Sequence, residues 1–128
     1  MKKTTHVMLV DDNPDITGMV KKRLEKMEES LEIIVANSGQ ECFDILKGGE
    51  KPDLFLLDIM MPNIDGWDVA AELKKNPELK NIPIVFFTAK TDPSCKAFGK
   101  IVSADYIEKP IKIEELKRKI DNILNDKC

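Results

Sequence analysis

The chain has 128 residues, of which 42% are hydrophobic and 34% charged, and its net charge is −3. This length and composition predict one globular domain with a single core, and the negative charge argues against a nucleic-acid partner. Apolar runs are too short to span a bilayer, and we expect no signal peptide. Because Cys42, Cys95 and Cys128 form no C-x-x-C pair, free thiols and a cytoplasmic location are expected.

Short apolar segments alternate with helical patterns along the whole chain. Leu54–Leu57 and Ile84–Phe87 are apolar at every position, which is typical of strands covered by helices on both faces. Strict alternation of strands and helices predicts right-handed crossovers and a parallel sheet in an α/β fold. The predicted strands are His6–Val10, Glu32–Ala36, Asp53–Asp58, Ile82–Thr88 and Ala104–Glu108.

Capping and breaking residues predict the helix boundaries. Asn13 before Pro14 is typical of an N-cap followed by proline in the first turn. Ser38 and Glu41 have the spacing of a capping box. The remaining boundaries are an end at Gly48–Gly49, a third helix that follows Gly66 and ends at Asn76–Pro77, a fourth helix from Asp92–Pro93 with Gly99 inside it, and a fifth from about Ile113 to Leu124.

The strand ends carry most of the polar chemistry. In an open parallel sheet, ligands bind at the carboxyl ends of the strands, and these ends carry Asp11, Asp12, Asp58, Thr88 and Lys109. An aspartate after a strand is commonly a turn residue only. However, carboxylates about 5 Å apart repel each other by roughly 3 kcal/mol per pair, which one lysine does not offset. A divalent cation does, and carboxylate oxygens suit Mg²⁺, so we predict a magnesium site.

A carboxylate held beside Mg²⁺ has a chemical use. It can attack a phosphoryl group and form an acyl phosphate, and Asp58 is the predicted acceptor. Lys109 and the metal would neutralise charge on the transferring oxygens. The Thr88 hydroxyl would donate a hydrogen bond to a phosphoryl oxygen. The sequence therefore favours a phosphate-accepting switch.

Segments at the strand ends resemble those of a known family. They are V-D-D at 10–12, L-L-D-I-M-M-P-N-I-D-G at 56–66, F-T-A at 87–89 and D-Y-I-E-K-P at 105–110. Together they resemble the receiver domain of two-component response regulators over essentially the whole chain. The resemblance implies a flavodoxin-like, doubly wound (βα)5 fold with strand order 2-1-3-4-5. It also implies that 1–128 form one stand-alone receiver domain of the chemotaxis type, without an output domain.

The resemblance assigns a role to each residue of the predicted acidic site. Asp58 matches the phosphate acceptor, and Asp12 matches the direct metal ligand. Asp11 matches the acidic residue that acts through water. The backbone carbonyl of Met60 falls where the family supplies a further metal ligand.

The resemblance also assigns the residues of the switch. Lys109 matches the lysine that pairs with the acceptor and then with the phosphate. The resemblance also implies that the peptide bond between Lys109 and Pro110 is cis. Thr88 matches the switch hydroxyl, and Tyr106 matches the aromatic that turns inward after Thr88 moves. Ser103–Tyr106 departs from the common G-A-D-D-Y pattern by lacking the glycine and one residue.

The resemblance implies partners and leaves alternatives open. A histidine kinase or histidine phosphotransfer protein would donate the phosphoryl group, and an unknown downstream protein would read a face made by helix four, strand five and helix five. The chain would be a signalling switch, not an enzyme, and a monomer or a phosphorylation-dependent dimer. The main alternative is a degenerate receiver that binds partners without phosphorylation.

Three other functions fit the sequence less well. An aspartyl-phosphate phosphatase typically has D-x-D-x-T after its first strand, where this chain has D-D-N-P-D. A flavodoxin-like cofactor binder needs uncharged phosphate donors in that loop. The basic residues Lys117, Arg118 and Lys119 suggest a DNA contact, but the acidic residues beside them favour a solvated helical face.

Overall fold

Strands and helices alternate through the computed structural model, which describes residues 4–88, 105–109 and 111–125. None of the helices in these ranges is long and apolar enough to cross a membrane. The helix predicted from Asp92–Pro93 lies outside the described residues. The label α4 below therefore refers to the helix that was predicted as the fifth. The elements are β1 (Thr5–Val10), α1 (Pro14–Met27), β2 (Leu31–Ala36), α2 (Gly39–Lys47), β3 (Leu54–Leu57), α3 (Gly66–Lys75), β4 (Ile84–Thr88), β5 (Asp105–Glu108) and α4 (Ile113–Asn125).

The strands form one parallel sheet in the order β2-β1-β3-β4-β5. This order confirms the doubly wound α/β fold and the strand order 2-1-3-4-5 that the resemblance implied. In the register of the central pair, Val10 lies opposite Leu57. The residues that follow these two strands therefore leave the sheet side by side.

Each face of the sheet is covered by its own hydrophobic cluster. In β1, Met8 and Val10 pack on one side, while Val7 and Leu9 pack on the other. The first side is covered by Cys42 from α2 and by Val69, Ala70 and Leu73 from α3. The second side is covered by Val20 and Leu24 from α1 and by Leu116 and Ile120 from α4. Burial on both faces explains why the central strands are apolar at every position.

Capping residues fix where the helices begin relative to the strand ends. The Asn13 side chain accepts hydrogen bonds from the Asp15 and Ile16 backbone N–H groups, as predicted. The Ser38 hydroxyl accepts from the Glu41 N–H, also as predicted. A full capping box, made by Asp65 and Asp68, begins α3 and was not predicted. Each cap satisfies N–H groups that a helix start leaves without partners.

Lys117 differs from the sequence prediction of a solvated face. Its side chain is only 12% exposed, and its Nζ lies 2.7 Å from Glu28 Oε1 and 2.6 Å from Asp121 Oδ2. Burial lowers the pKa of Lys117, but the hydrogen bonds and charges of Asp121 and Glu28 outweigh burial and raise the pKa above its usual value. Lys117 therefore joins α4 to the end of α1.

Candidate functional site

The carboxyl ends of β1 and β3 bring together the three predicted acidic residues. Asp11, Asp12 and Asp58 each offer a carboxylate oxygen, and these oxygens lie within 4.8 Å of one another. Asp11 is 1% exposed and Asp58 is 5% exposed, whereas Asp12 is exposed. The Asp58 N–H donates to the Val10 carbonyl at 2.8 Å, which ties the end of β3 to β1. The sheet register thus brings the residues that follow β1 and β3 to one edge.

Lys109 lies between the two buried carboxylates of the cluster. Its Nζ is 2.5 Å from Asp11 Oδ2 and 3.8 Å from Asp58 Oδ2, and it also lies 5.2 Å from the centre of the Phe87 ring. Its backbone N–H donates to the Thr88 carbonyl at 2.8 Å, which fixes the end of β5. The resemblance pairs this lysine with the acceptor, but in the structure its shorter contact is with Asp11.

The surroundings of Asp58 raise its pKa above the ordinary value. Burial is the largest cause, and the nearby Asp11 carboxylate adds to it, while the charge of Lys109 opposes both. Hydrogen bonds from the Thr88 hydroxyl and the Met60 N–H also lower the pKa, by less. Lys109 therefore does not fully offset the burial of Asp58. Carboxylate oxygens this close together fit a divalent cation.

The two predicted switch residues lie on neighbouring strands. Thr88 is fully buried at the end of β4, and Tyr106 on β5 is 4% exposed. Tyr106 is opposite Phe86 in the register, and their ring centroids are 6.3 Å apart. Phe86 in turn packs on Trp67, with ring centroids 4.7 Å apart. The aromatic that the resemblance expects to turn inward is thus already buried in this structure.

Met60 lies at the mouth of the site. Its backbone N–H is 3.4 Å from Asp58 Oδ1, and its side chain is 59% exposed. The backbone of Met60 thus contacts the acceptor, while its apolar side chain is exposed to solvent. Among the other predicted features, Pro110, Ser103, Ala104 and Gly99 lie outside the described residues.

Gly66 shapes the site, a role that the sequence analysis did not assign to it. A Cβ atom at this position would lie 2.4 Å from the Asp58 carbonyl oxygen and 2.7 Å from the Ile59 Cα. The Gly66 N–H donates to the Ile59 carbonyl at 3.0 Å. The first turn of α3 thus rests on the backbone of the acceptor itself. Its sequence signal was the D-G pair at the end of the acceptor motif.

Asn37 directly follows β2 and was not among the residues predicted for the site. In the structure its side-chain amide donates a hydrogen bond to the Asp11 carbonyl at 3.0 Å. This contact brings the end of β2 to the acidic cluster. A polar residue at a strand end, on the edge where the carboxylates meet, was the signal for it.

Comparisons with known proteins place the chain in a family. A family model described as the response regulator receiver domain matches residues 7–121. Among solved structures, a CheY-like response regulator receiver domain protein of Methanospirillum hungatei is 38% identical, with a TM-score of 0.80 and 94% of each chain covered. The chemotaxis protein CheY4 of Vibrio cholerae is 26% identical, with a TM-score of 0.84, 94% of this chain and 98% of that chain covered.

Curated relatives are longer than this chain. The response regulator SaeR of Staphylococcus aureus is 33% identical over 94% of this chain and 50% of its own length. A probable cyclic di-GMP phosphodiesterase of Vibrio cholerae is 34% identical over 94% of this chain and 27% of its own length. The chain thus spans half or less of these relatives. It belongs to the response regulator receiver domain family, whose members are signalling switches and not classical enzymes.

Proposed function

We propose that this chain accepts a phosphoryl group on Asp58 in the presence of Mg²⁺ and passes the change to a downstream protein. The observation that carries the proposal is the position of Asp58. Its buried carboxylate, with a raised pKa, lies within 4.8 Å of the Asp11 and Asp12 oxygens and 3.8 Å from Lys109 Nζ. A carboxylate nucleophile with a lysine ammonium and two further carboxylates beside it is arranged for transfer of a negatively charged phosphoryl group.

The carboxylates of Asp11, Asp12 and Asp58, with the Met60 carbonyl, would hold Mg²⁺. Their clustering fits a hard cation that prefers oxygen ligands. Asp12 is the exposed member and would bind the ion directly, while Asp11 would act through water. When bound, Mg²⁺ would supply positive charge to phosphoryl oxygens that the buried carboxylates otherwise repel.

The protein residues perform the transfer itself. An Asp58 carboxylate oxygen attacks the phosphorus, the bond from phosphorus to the donor's histidine nitrogen breaks, and the electron pair stays on that nitrogen. The product is an acyl phosphate on Asp58. Lys109 lies between Asp11 and Asp58, so its ammonium can pair with the new phosphoryl oxygens. The buried Thr88 hydroxyl, which now hydrogen-bonds Asp58, turns to a phosphoryl oxygen.

The proposed partners are a phosphoryl donor and a reader of the switched state. The donor is a histidine kinase or a histidine phosphotransfer protein, in the cytoplasm, where Cys42 stays a free thiol. The reader contacts β5, α4 and the helix predicted from Asp92–Pro93, because Thr88 hydrogen-bonds the acceptor and β5, which carries Tyr106, pairs with the strand of Thr88. The switched form is a monomer or a dimer. A single receiver domain without an output domain stays a prediction.

Acetyl phosphate with Mg²⁺ tests the proposal without a cognate kinase. The wild-type chain is expected to gain the mass of one phosphoryl group in intact-mass measurement. Asp58→Ala is expected to gain none, and chelation of Mg²⁺ is expected to prevent labelling of the wild type. Asp15→Ala, at an exposed aspartate on α1, is the matched control and should label normally. A wild-type chain that stays unlabelled would overturn phosphate acceptance and favour a phosphorylation-independent binding module.

Met60→Asn is expected to speed loss of the phosphoryl group from Asp58 by about tenfold, because an amide can orient an attacking water and a thioether cannot. The Met60 side chain is 59% exposed, so the change should leave the fold intact. The measurement is the decay rate of the acyl phosphate after acetyl phosphate is removed. Met27→Asn, at another exposed methionine far along α1, is the control. Equal decay rates for wild type and Met60→Asn would contradict this expectation.

A further inference from the structure

We infer that Asn37 is a positioning residue for the acidic site, which holds the turn after β1 so that Asp11 and Asp12 face the cation. The inference rests on the proposed Mg²⁺ site and adds a residue to it that is not a ligand. Asn37 is half-buried and directly follows β2, the strand beside β1. It therefore reaches the acidic turn from a neighbouring strand.

The Asn37 side chain makes two directed contacts across the start of α1. Its Nδ2 donates to the Asp11 carbonyl at 3.0 Å and to Thr17 Oγ1 at 3.1 Å. The Thr17 hydroxyl, which is buried, donates onward to the Pro14 carbonyl at 3.2 Å. One amide group thus joins the end of β1 to the first turn of α1.

Asp12 shows why these contacts matter for a metal. Among the described residues, the Asp12 carboxylate takes part in no hydrogen bond or ion pair, and it is exposed. Its position is therefore set by the backbone of its turn. On one side that backbone is held at Asp11 by Asn37; on the other, the Asn13 carbonyl accepts the Thr17 N–H at 3.1 Å. Asn37 and Thr17 thus hold the backbone on either side of Asp12, the proposed direct ligand.

The chemistry of the amide suits this position. A primary amide offers two N–H donors and no charge, so Asn37 can hold two oxygen acceptors without adding to the negative charge of the cluster. An aspartate at position 37 would have no N–H group to donate to the Asp11 carbonyl, and it would bring a fourth negative charge close to the site. Residues that orient metal ligands without touching the metal typically change its affinity by about 10–100-fold when they are removed.

Isothermal titration calorimetry with Mg²⁺ alone measures the affinity for the metal and tests this role independently of phosphorylation. Asn37→Leu keeps a similar volume and removes both donors, and we expect it to weaken Mg²⁺ binding by about 10–100-fold. Thr17→Val removes the second contact, together with the hydrogen bond to the Pro14 carbonyl, but leaves the contact between Asn37 and the Asp11 carbonyl, and we expect a smaller loss. If Asn37→Leu does not fold, Thr17→Val carries the test, and affinity equal to wild type would then overturn the role.

Ser38→Ala is the control for a merely structural effect. Ser38 is the next residue and caps α2 through the Glu41 N–H, so its loss should destabilise the same loop. We expect Ser38→Ala to bind Mg²⁺ as the wild type does. Equal affinity of Asn37→Leu and wild type, or an equal loss in Ser38→Ala, would overturn the positioning role. Absence of Mg²⁺ binding to the wild type would instead overturn the proposed function.

Discussion

Gly66→Ala is expected to destabilise the fold by on the order of 3 kcal/mol and to prevent labelling of Asp58. The added Cβ would lie 2.4 Å from the Asp58 carbonyl oxygen and 2.7 Å from the Ile59 Cα. Both atoms belong to the backbone, so no side chain can move aside. Either α3 shifts outward or the acceptor's own peptide turns. Urea unfolding measures the stability, and intact mass after acetyl phosphate treatment measures the labelling.

Gly18→Ala is the matched control for this prediction. Gly18 lies inside α1, and a Cβ there would meet nothing within 4 Å. Since glycine is a poor helix former, alanine at this position should stabilise the chain by about 1 kcal/mol and leave labelling unchanged. The two substitutions add the same methyl group and are expected to act in opposite directions. Wild-type stability and labelling in Gly66→Ala would show that the contact with Asp58 does not shape the site.

Much of the fold was predictable because its signals are local. The fully apolar segment Leu54–Leu57 became a strand buried on both faces, and the Asn13 cap begins α1 as predicted. The strand order depends on contacts between distant segments, and it came from the family resemblance. The start of β4 was predicted too early, at Ile82. Pro83 has no N–H for the sheet ladder, and the Ile82 N–H donates to the Leu79 carbonyl in a turn instead.

The members of the site were predictable, but their contacts were not. A parallel sheet places Asp11, Asp58 and Lys109 at one edge whatever their side-chain conformations. That the Lys109 ammonium lies nearer Asp11 than Asp58 depends on side-chain conformation and burial. The role of Asn37 depends on the direction of one carbonyl in the next turn. The acidic neighbours of Lys117 indicated a solvated face, whereas its contact with Glu28 depends on how α4 packs against the end of α1.

Lys109→Met is expected to lower the free energy of unfolding by about 3–5 kcal/mol at neutral pH, because it leaves buried carboxylates without their cation. The Lys109 Nζ lies 2.5 Å from Asp11 Oδ2, and Asp11 is 1% exposed. Methionine keeps most of the length of the side chain and removes its charge. Lys112→Met, at an exposed lysine beyond the site, is the control and should change stability little. Urea unfolding in the presence of a chelator measures both.

The loss in Lys109→Met should depend on pH. Burial already raises the pKa of Asp58, the charge of Lys109 opposes this, and Asp11 adds to it. Removing Lys109 therefore raises the pKa of Asp58 in the folded state further above its unfolded value of about 4. A carboxyl group of this kind binds its proton more tightly when folded, so stability is lost as pH rises above the unfolded pKa. The cost of Lys109→Met should be small near pH 4 and grow towards neutral pH.

A second substitution separates the structural part of Lys109 from its part in phosphoryl transfer. In Lys109→Met/Asp11→Asn the partner carboxylate is neutral, so much of the lost stability should return, and the double-mutant cycle gives the coupling between the two side chains. Labelling of Asp58 should not return, because the ammonium that would pair with the phosphoryl oxygens and the Asp11 carboxylate of the proposed Mg²⁺ site are then both missing. If Lys109→Met were no less stable than Lys112→Met, the buried carboxylates would tolerate one another without a cation. The electrostatic reason for a Mg²⁺ site would then fail, even though the three aspartates remain within reach of one ion.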